Sequence, residues 1–110
     1  MANRIIPSFH FEQKLKRLLK KYPSLRIELQ KVESDLLNNP RCGKSYGKNI
    51  YKLRIAGEGK GKSGGHRIIT YVLDMTEEST DIHLITIFTK SEESTIKKAD
   101  AIALIKKIFR

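Results

Sequence analysis

The sequence predicts an α+β domain: a small antiparallel sheet of about four strands, with an N-terminal helical hairpin and a C-terminal helix. Three observations carry this expectation. Apolar residues recur at helical spacing before Pro40 and again after Ile96. Between them they alternate with polar residues or run together in short β-branched stretches. All seven glycines fall within 23 residues, Gly43 to Gly65, so turns and loops concentrate where the pattern changes from helix to strand.

In chain order, Arg4–Pro7 is short, β-branched and closed by Pro7, as suits an edge strand. Phe11, Leu15, Leu18, Leu19 and Tyr22 then share one helical face, with Lys14, Lys16, Arg17, Lys20 and Lys21 on the other. Tyr22-Pro23-Ser24 breaks that helix and offers Ser24 as the next N-cap. Leu25, Leu29, Val32 and Leu36 form the second helix, which ends at Asn38-Asn39-Pro40. So short a joint predicts that the two helices pack as a hairpin. Tyr51–Ile55 alternates, with Lys52 and Arg54 on one side and Tyr51, Leu53 and Ile55 on the other. His66–Leu73 and Ile82–Phe88 are longer strands; the acidic joint Asp74–Asp81 favours an antiparallel return, with Glu77, Glu78 and Asp81 as solvated turn residues. The tail places Ile102, Ile105 and Phe109 on one stripe, with Ala101, Leu104 and Ile108 beside it. Lys106, Lys107 and Arg110 sit where a helix dipole favours cations. The order β-α-α-β-β-β-α reads as a sheet with helices on one face.

At 110 residues the chain is expected to form one domain, 1–110, too small for a doubly wound nucleotide enzyme. A net charge of +10 implies an acidic partner. That charge is uneven: Arg41–Arg67 holds eight Lys/Arg against the single acid Glu58, a local balance of +7. Cys42, the only cysteine, rules out an intramolecular disulfide and reads as a small filler beside a turn in a reducing compartment. No apolar run reaches the ~20 residues of a membrane helix, and the charges of the N-terminus come too early for a signal peptide. A cytoplasmic location, without a membrane partner, is expected.

Three chemistries compete for the basic segment. Ala56-Gly57-Glu58-Gly59-Lys60-Gly61-Lys62-Ser63 satisfies a loose phosphate-loop string, but that mechanism needs a helix to begin at the lysine and serine so that its amides cradle phosphate. Gly64-Gly65 and a β-branched run follow instead, which excludes it. A metal site fares no better: His10, His66 and His83 lie on different elements without a ligand-spaced partner, so no metal and no cofactor is expected. The third is metal-free phosphodiester cleavage. RNA cuts itself when its 2′-hydroxyl is deprotonated and aligned and the developing charge is neutralised. Arginines clamp the phosphate, and a lysine crowded by cations has a lowered pKa and serves as base. Lys52, Arg54, Lys60, Lys62 and Arg67 supply these types, with no carboxylate expected to neutralise them. The plainer reading is that the same cations bind a nucleic-acid backbone without catalysis.

Tyr51-Lys52-Leu53-Arg54, then Gly59-Lys60-Gly61-Lys62-Ser63-Gly64-Gly65-His66-Arg67-Ile68-Ile69, then Phe88-Thr89-Lys90-Ser91-Glu92 resemble the RelE/ParE toxin superfamily. The likeness is greatest to its HigB-like branch, as is the Lys-Lys-Tyr-Pro-Ser joint of the paired helices. The resemblance implies a RelE-like fold and the toxin of a type II toxin–antitoxin pair, with a cognate antitoxin as partner. It further implies a metal-independent endoribonuclease that cuts mRNA at the ribosome by 2′-hydroxyl attack. By position, Arg67 matches the arginine that contacts the scissile phosphate. Lys90 falls near the basic residue at the end of the last strand. Lys60 and Lys62 stand where catalytic or RNA-binding lysines occur; the alignment does not choose between them. Lys52, Arg54, His66 and Tyr71 complete the implied RNA-binding set.

One departure stands out. RelE-like members place a tyrosine shortly after the last strand, and some HigB-like ones use histidines and an acid there. This chain has Lys90-Ser91-Glu92-Glu93-Ser94, with Tyr71 and His66 as stand-ins. That leaves open a non-catalytic interaction protein of the same fold, directed at DNA gyrase or simply binding RNA. An antitoxin is expected to cover the basic face or displace the C-terminal helix.

Overall fold

A computed structural model describes residues 2–57 and 61–109, with side chains described outside 56–64. Five strands form one mixed sheet in the order β1-β5-β4-β3-β2. They are β1 (Ala2–Pro7), β2 (Lys44–Gly47), β3 (Ile50–Gly57), β4 (Gly61–Thr76) and β5 (Ser79–Thr89). The helices are α1 (Phe9–Lys21), α2 (Leu25–Asn38) and α3 (Lys98–Ile108), with a 3₁₀ segment, Lys90–Thr95, between β5 and α3. The α+β architecture with a terminal helical pair and a C-terminal helix is as the sequence predicts. The sheet has one more strand than expected.

β1 is an edge strand, as its proline requires, but it runs parallel to β5, pairing Ala2 with Ser79 through Pro7 with Leu84. Ser8 ends it and starts α1: its Oγ accepts from the Phe11 amide and donates to the Ile85 carbonyl, both at 3.0 Å. Such a cap satisfies one of the helix's orphan donors. Ser24, the expected cap of α2, occupies the N-cap in helical geometry and makes no side-chain capping bond among the described residues. All four predicted apolar positions of α2, Leu25, Leu29, Val32 and Leu36, are buried.

β2 is absent from the sequence reading. It joins β3 through Lys48 and Asn49, both at positive φ (53° and 65°), with Gly47 paired to Ile50. Two central residues in the left-handed region are what a tight hairpin needs to match strand twist. β4 begins at Gly61 rather than His66, so the backbone around Lys62 is extended. A strand at that position removes the phosphate-loop reading for the reason the sequence gives.

The turn after β4 is also shorter than expected. Thr76 pairs with Ser79, leaving Glu77 and Glu78 as the turn. Asp74 lies within β4, paired to Arg41 at 3.2 Å. Asp81, expected to be solvated, is instead buried on β5 and takes a two-pronged ion pair from Arg4, both contacts at 3.0 Å. The parallel register, Arg4 beside Asp81, brings them together.

Side-chain alternation along β4 divides the core. Ile68 and Val72 face α1 and α2, joining Phe11, Leu25, Leu36, Leu53, Ile55, Ile82 and Leu84. Ile69 faces the opposite side, with Ile50, Ile85, Phe88, Ala101 and Ile105. The helices therefore cover both faces of the sheet, not one. α3 docks on the second face, where Phe109 meets Tyr71 and His83 edge-on at 5.3 and 4.7 Å between ring centroids. Among the described residues, no helix is long and apolar enough to cross a membrane.

Candidate functional site

The face that carries α3 also carries the cations. Ile50, Lys52 and Arg54 alternate along β3, so all three point one way. Arg54 lies directly opposite Arg67 of β4, and Lys52 opposite Ile69. Two arginines facing each other across a strand pair repel. The alternation predicted for β3 thus places Lys52 and Arg54 as expected, and the β3–β4 register adds Arg67.

The 3₁₀ segment supplies the counter-charge. Glu93 Oε2 accepts from Lys52 Nζ at 2.6 Å and lies 3.3 Å from Arg67 Nε. The Arg67 side chain keeps 6% of its surface exposed, Lys52 19% and Glu93 28%. Arg67 also donates to the His66 carbonyl at 3.3 Å. The Tyr46 ring of β2 stands 5.7 Å from Lys52 Nζ, a cation–π approach. Arg54, by contrast, is exposed. The segment that presents Glu93 is itself fixed. The Thr89 amide and hydroxyl both donate to Glu92 Oε1 at 3.1 Å, and the Thr95 hydroxyl donates to the Glu92 carbonyl at 2.7 Å.

This arrangement corrects the expectation of cations without a carboxylate partner. Hydrogen bonding to Glu93 pushes the Lys52 ammonium above its ordinary range, with Tyr46 adding to it against the opposing effect of burial. Lys52 therefore stays protonated and is unsuited to act as a base. The same bond, with Arg67 nearby, holds the Glu93 carboxyl below the usual carboxylate range. Lys52 and Arg67 are anion ligands at neutral pH, and the anion they hold is the chain's own.

The remaining site residues separate. Lys90 is exposed at the start of the 3₁₀ segment, at the same end of the sheet, since Thr89 pairs with His66. Lys60 lies outside the described residues; Lys62 lies in β4, with its side chain outside the description. His66 neighbours Arg67 in sequence but faces the other side of the sheet. It is buried there, edge-on to Tyr22 at 4.9 Å between centroids, and both ring nitrogens lack a hydrogen-bond partner among the described residues. Burial, then the Arg67 charge, lowers its pKa. Tyr71 shares Arg67's face but lies four residues along the strand, roughly 13 Å away, against Phe109 of α3's end. Of the named set, the structure thus gathers Lys52, Arg54 and Arg67, with Lys90 near; His66 and Tyr71 stand apart. Burial pushes the Cys42 thiol up, consistent with a filler role.

Glu93 and Tyr46 are the residues that sequence reasoning missed. Glu93 sits 41 residues from Lys52 in the chain. Its one sequence signal was its place in the Glu92-Glu93 pair following the last strand. Tyr46 was hidden with β2.

The chain shares its fold with the E. coli toxin RelE, solved as a double arginine-to-alanine mutant in the free state. The two superpose with a TM-score of 0.63 at 25% sequence identity, covering 96% of this chain and 99% of that one. No protein-family model matches the chain.

Proposed function

We propose that this chain is the toxin of a type II toxin–antitoxin pair, of the HigB-like branch, and that it cuts mRNA at the ribosome without metal. The observation that carries the reading is the gathering of Lys52, Arg54 and Arg67 on one face at one end of a RelE-like sheet. In the reaction, the 2′-oxygen attacks phosphorus as its proton passes to a base, and the 5′-oxygen leaves as it gains a proton. The products are a 2′,3′-cyclic phosphate and a 5′-hydroxyl. Charge builds on the phosphate oxygens in between. A planar guanidinium fixed on a strand is suited to meet it, because preorganised donors need not rearrange as charge develops.

In this reading Arg67 clamps the phosphate and Arg54 and Lys52 guide the flanking backbone. Lys90 adds positive charge at the strand end, and Lys60 or Lys62 serves as base or phosphate ligand. Since Glu93 raises the Lys52 pKa further above neutrality, Lys52 is not the base. A cognate antitoxin covers the basic face or displaces α3, and the protein works in the cytoplasm. The test is expression in a bacterial host. Protein synthesis should stop and translated mRNA should show new cuts; continued growth with folded protein present would overturn the reading. Defective supercoiling, or RNA bound but intact, would instead favour the non-catalytic alternative.

A further inference from the structure

Glu93 fills the contact between Lys52 and Arg67. Its Oε2 lies between Lys52 Nζ and Arg67 Nε, at 2.6 and 3.3 Å. A carboxylate and a phosphodiester each spread one negative charge over two oxygens that accept hydrogen bonds, so the same ammonium and guanidinium groups satisfy either. Arg67 is nearly buried beneath this contact, so its Nε becomes available to an outside anion when the carboxylate withdraws. Glu93 itself remains partly exposed, which gives an incoming anion a route to it.

Resting on the functional reading above, we propose that Glu93 is an internal stand-in for the substrate phosphate. It keeps the Lys52–Arg67 seat filled in the unbound chain, and a phosphodiester must displace it to bind. Glu93 is thereby a specificity-determining residue. A lone weak anion gains too little from the seat to expel a tethered carboxylate. A nucleic-acid strand does so because its neighbouring phosphates also engage cations such as the exposed Arg54. The hydrogen bonds around Glu92 and Thr89 fix the backbone of the 3₁₀ segment. Release is therefore assigned to the Glu93 side chain swinging outward rather than to the segment unwinding. The carboxylate stays ionised down to acidic pH, since Lys52 and Arg67 hold it below the usual range. Competition by phosphate, not protonation, is the release.

The test measures binding of a 2′-O-methyl RNA oligonucleotide, which keeps every phosphodiester but lacks the attacking hydroxyl. Wild type, Glu93→Gln and Glu93→Ala are compared with Glu77→Gln, which makes the same change of net charge in the β4–β5 turn. The two Glu93 variants should bind roughly fivefold tighter or more, with a salt slope steeper by about 0.7; Glu77→Gln should stay within about twofold of wild type. Equal or weaker binding by the Glu93 variants would mean that the carboxylate only anchors the 3₁₀ segment. That result overturns the proposal and leaves the functional reading standing. If no variant binds, the seat takes no phosphodiester and the proposal fails; the growth and mRNA assay then decides the functional reading separately. In case a Glu93 variant does not fold, the carboxyl carbon resonance of Glu93 in wild type provides the second measurement. It should shift on adding the oligonucleotide, and an unmoved resonance in a saturated complex contradicts displacement.

Discussion

Replacing Arg67 by alanine separates the roles of the cationic face most sharply. The side chain is 6% exposed and its Nε contacts Glu93 at 3.3 Å, so two costs arise. A hydrogen bond to a charged group contributes about 1.5–3 kcal/mol. Here the loss is smaller, because Glu93 is partly exposed and keeps its 2.6 Å partner Lys52. Removing Arg67 also relieves its repulsion with Arg54 across the strand pair. A net destabilisation of about 1 kcal/mol follows, or a fall in Tm of about 4–8 °C for a domain near this size. The effect on catalysis is larger. Loss of a preorganised donor to developing charge costs about 2.7–4 kcal/mol, a 10²- to 10³-fold fall in rate. Arg67→Lys should rescue little of the rate, since a point charge cannot reproduce the planar fork. Cleavage is read on a translated reporter mRNA, folding by thermal denaturation, and ribosome association by sedimentation. A loss of cleavage below tenfold in the folded variant, or lysine working nearly as well as arginine, would refute the clamp assignment. Parallel loss of cleavage and ribosome association would assign Arg67 to docking.

Two further outcomes follow from the core and from the histidines. Leu36→Ala, at a fully buried position of α2, should cost about 2–5 kcal/mol in chemical denaturation, whereas Ile27→Ala, 61% exposed on the same helix, should stay within about 0.5 kcal/mol; equal effects would contradict the assignment of α2's buried face. His10, His66 and His83 all have pKa values below the ordinary histidine value of 6.5, chiefly through burial. The unfolded chain then binds protons that the folded chain does not, so stability present above pH 6.5 is lost as pH falls toward the folded values. Urea midpoints should drop between pH 7.5 and 5.5, and His66→Phe, which retains an aromatic ring against Tyr22, should flatten that slope; a rise in stability over the same interval would contradict burial of neutral histidine.

Much of this architecture was legible because its signals are local. The spacing of Leu25, Leu29, Val32 and Leu36 marks a helix face, and the alternation around Lys52 and Arg54 marks a strand face. Both periods survive folding unchanged. β2 escaped because its turn lacks the Asn-Gly or Asp-Gly signature: the glycine, Gly47, precedes the two left-handed residues instead of following them. Periodicity shows that α3 has an apolar stripe but not which face of the sheet receives it, so the expectation of helices on one face does not hold. Asp81 looked like a turn acid because its partner, Arg4, reaches it only through parallel pairing of the chain's first strand. Glu93 is the same kind of case. Counting charges along the basic segment could not reveal a carboxylate delivered from the segment that follows β5, and it is that carboxylate which raises the Lys52 pKa.

Attack of the 2′-hydroxyl on mRNA, assisted by Arg67 and its neighbours, meets its most direct test in ribosomes programmed with an mRNA changed at a single sugar. Purified protein is incubated with ribosomes stalled on an mRNA whose cut site has been mapped, and the same mRNA is made with one 2′-deoxynucleotide at the scissile position. The first mRNA should be cleaved to a 2′,3′-cyclic phosphate and a 5′-hydroxyl end, and the second should stay intact. Equal cleavage of both, or no cleavage of either by folded protein bound to the ribosome, would contradict it.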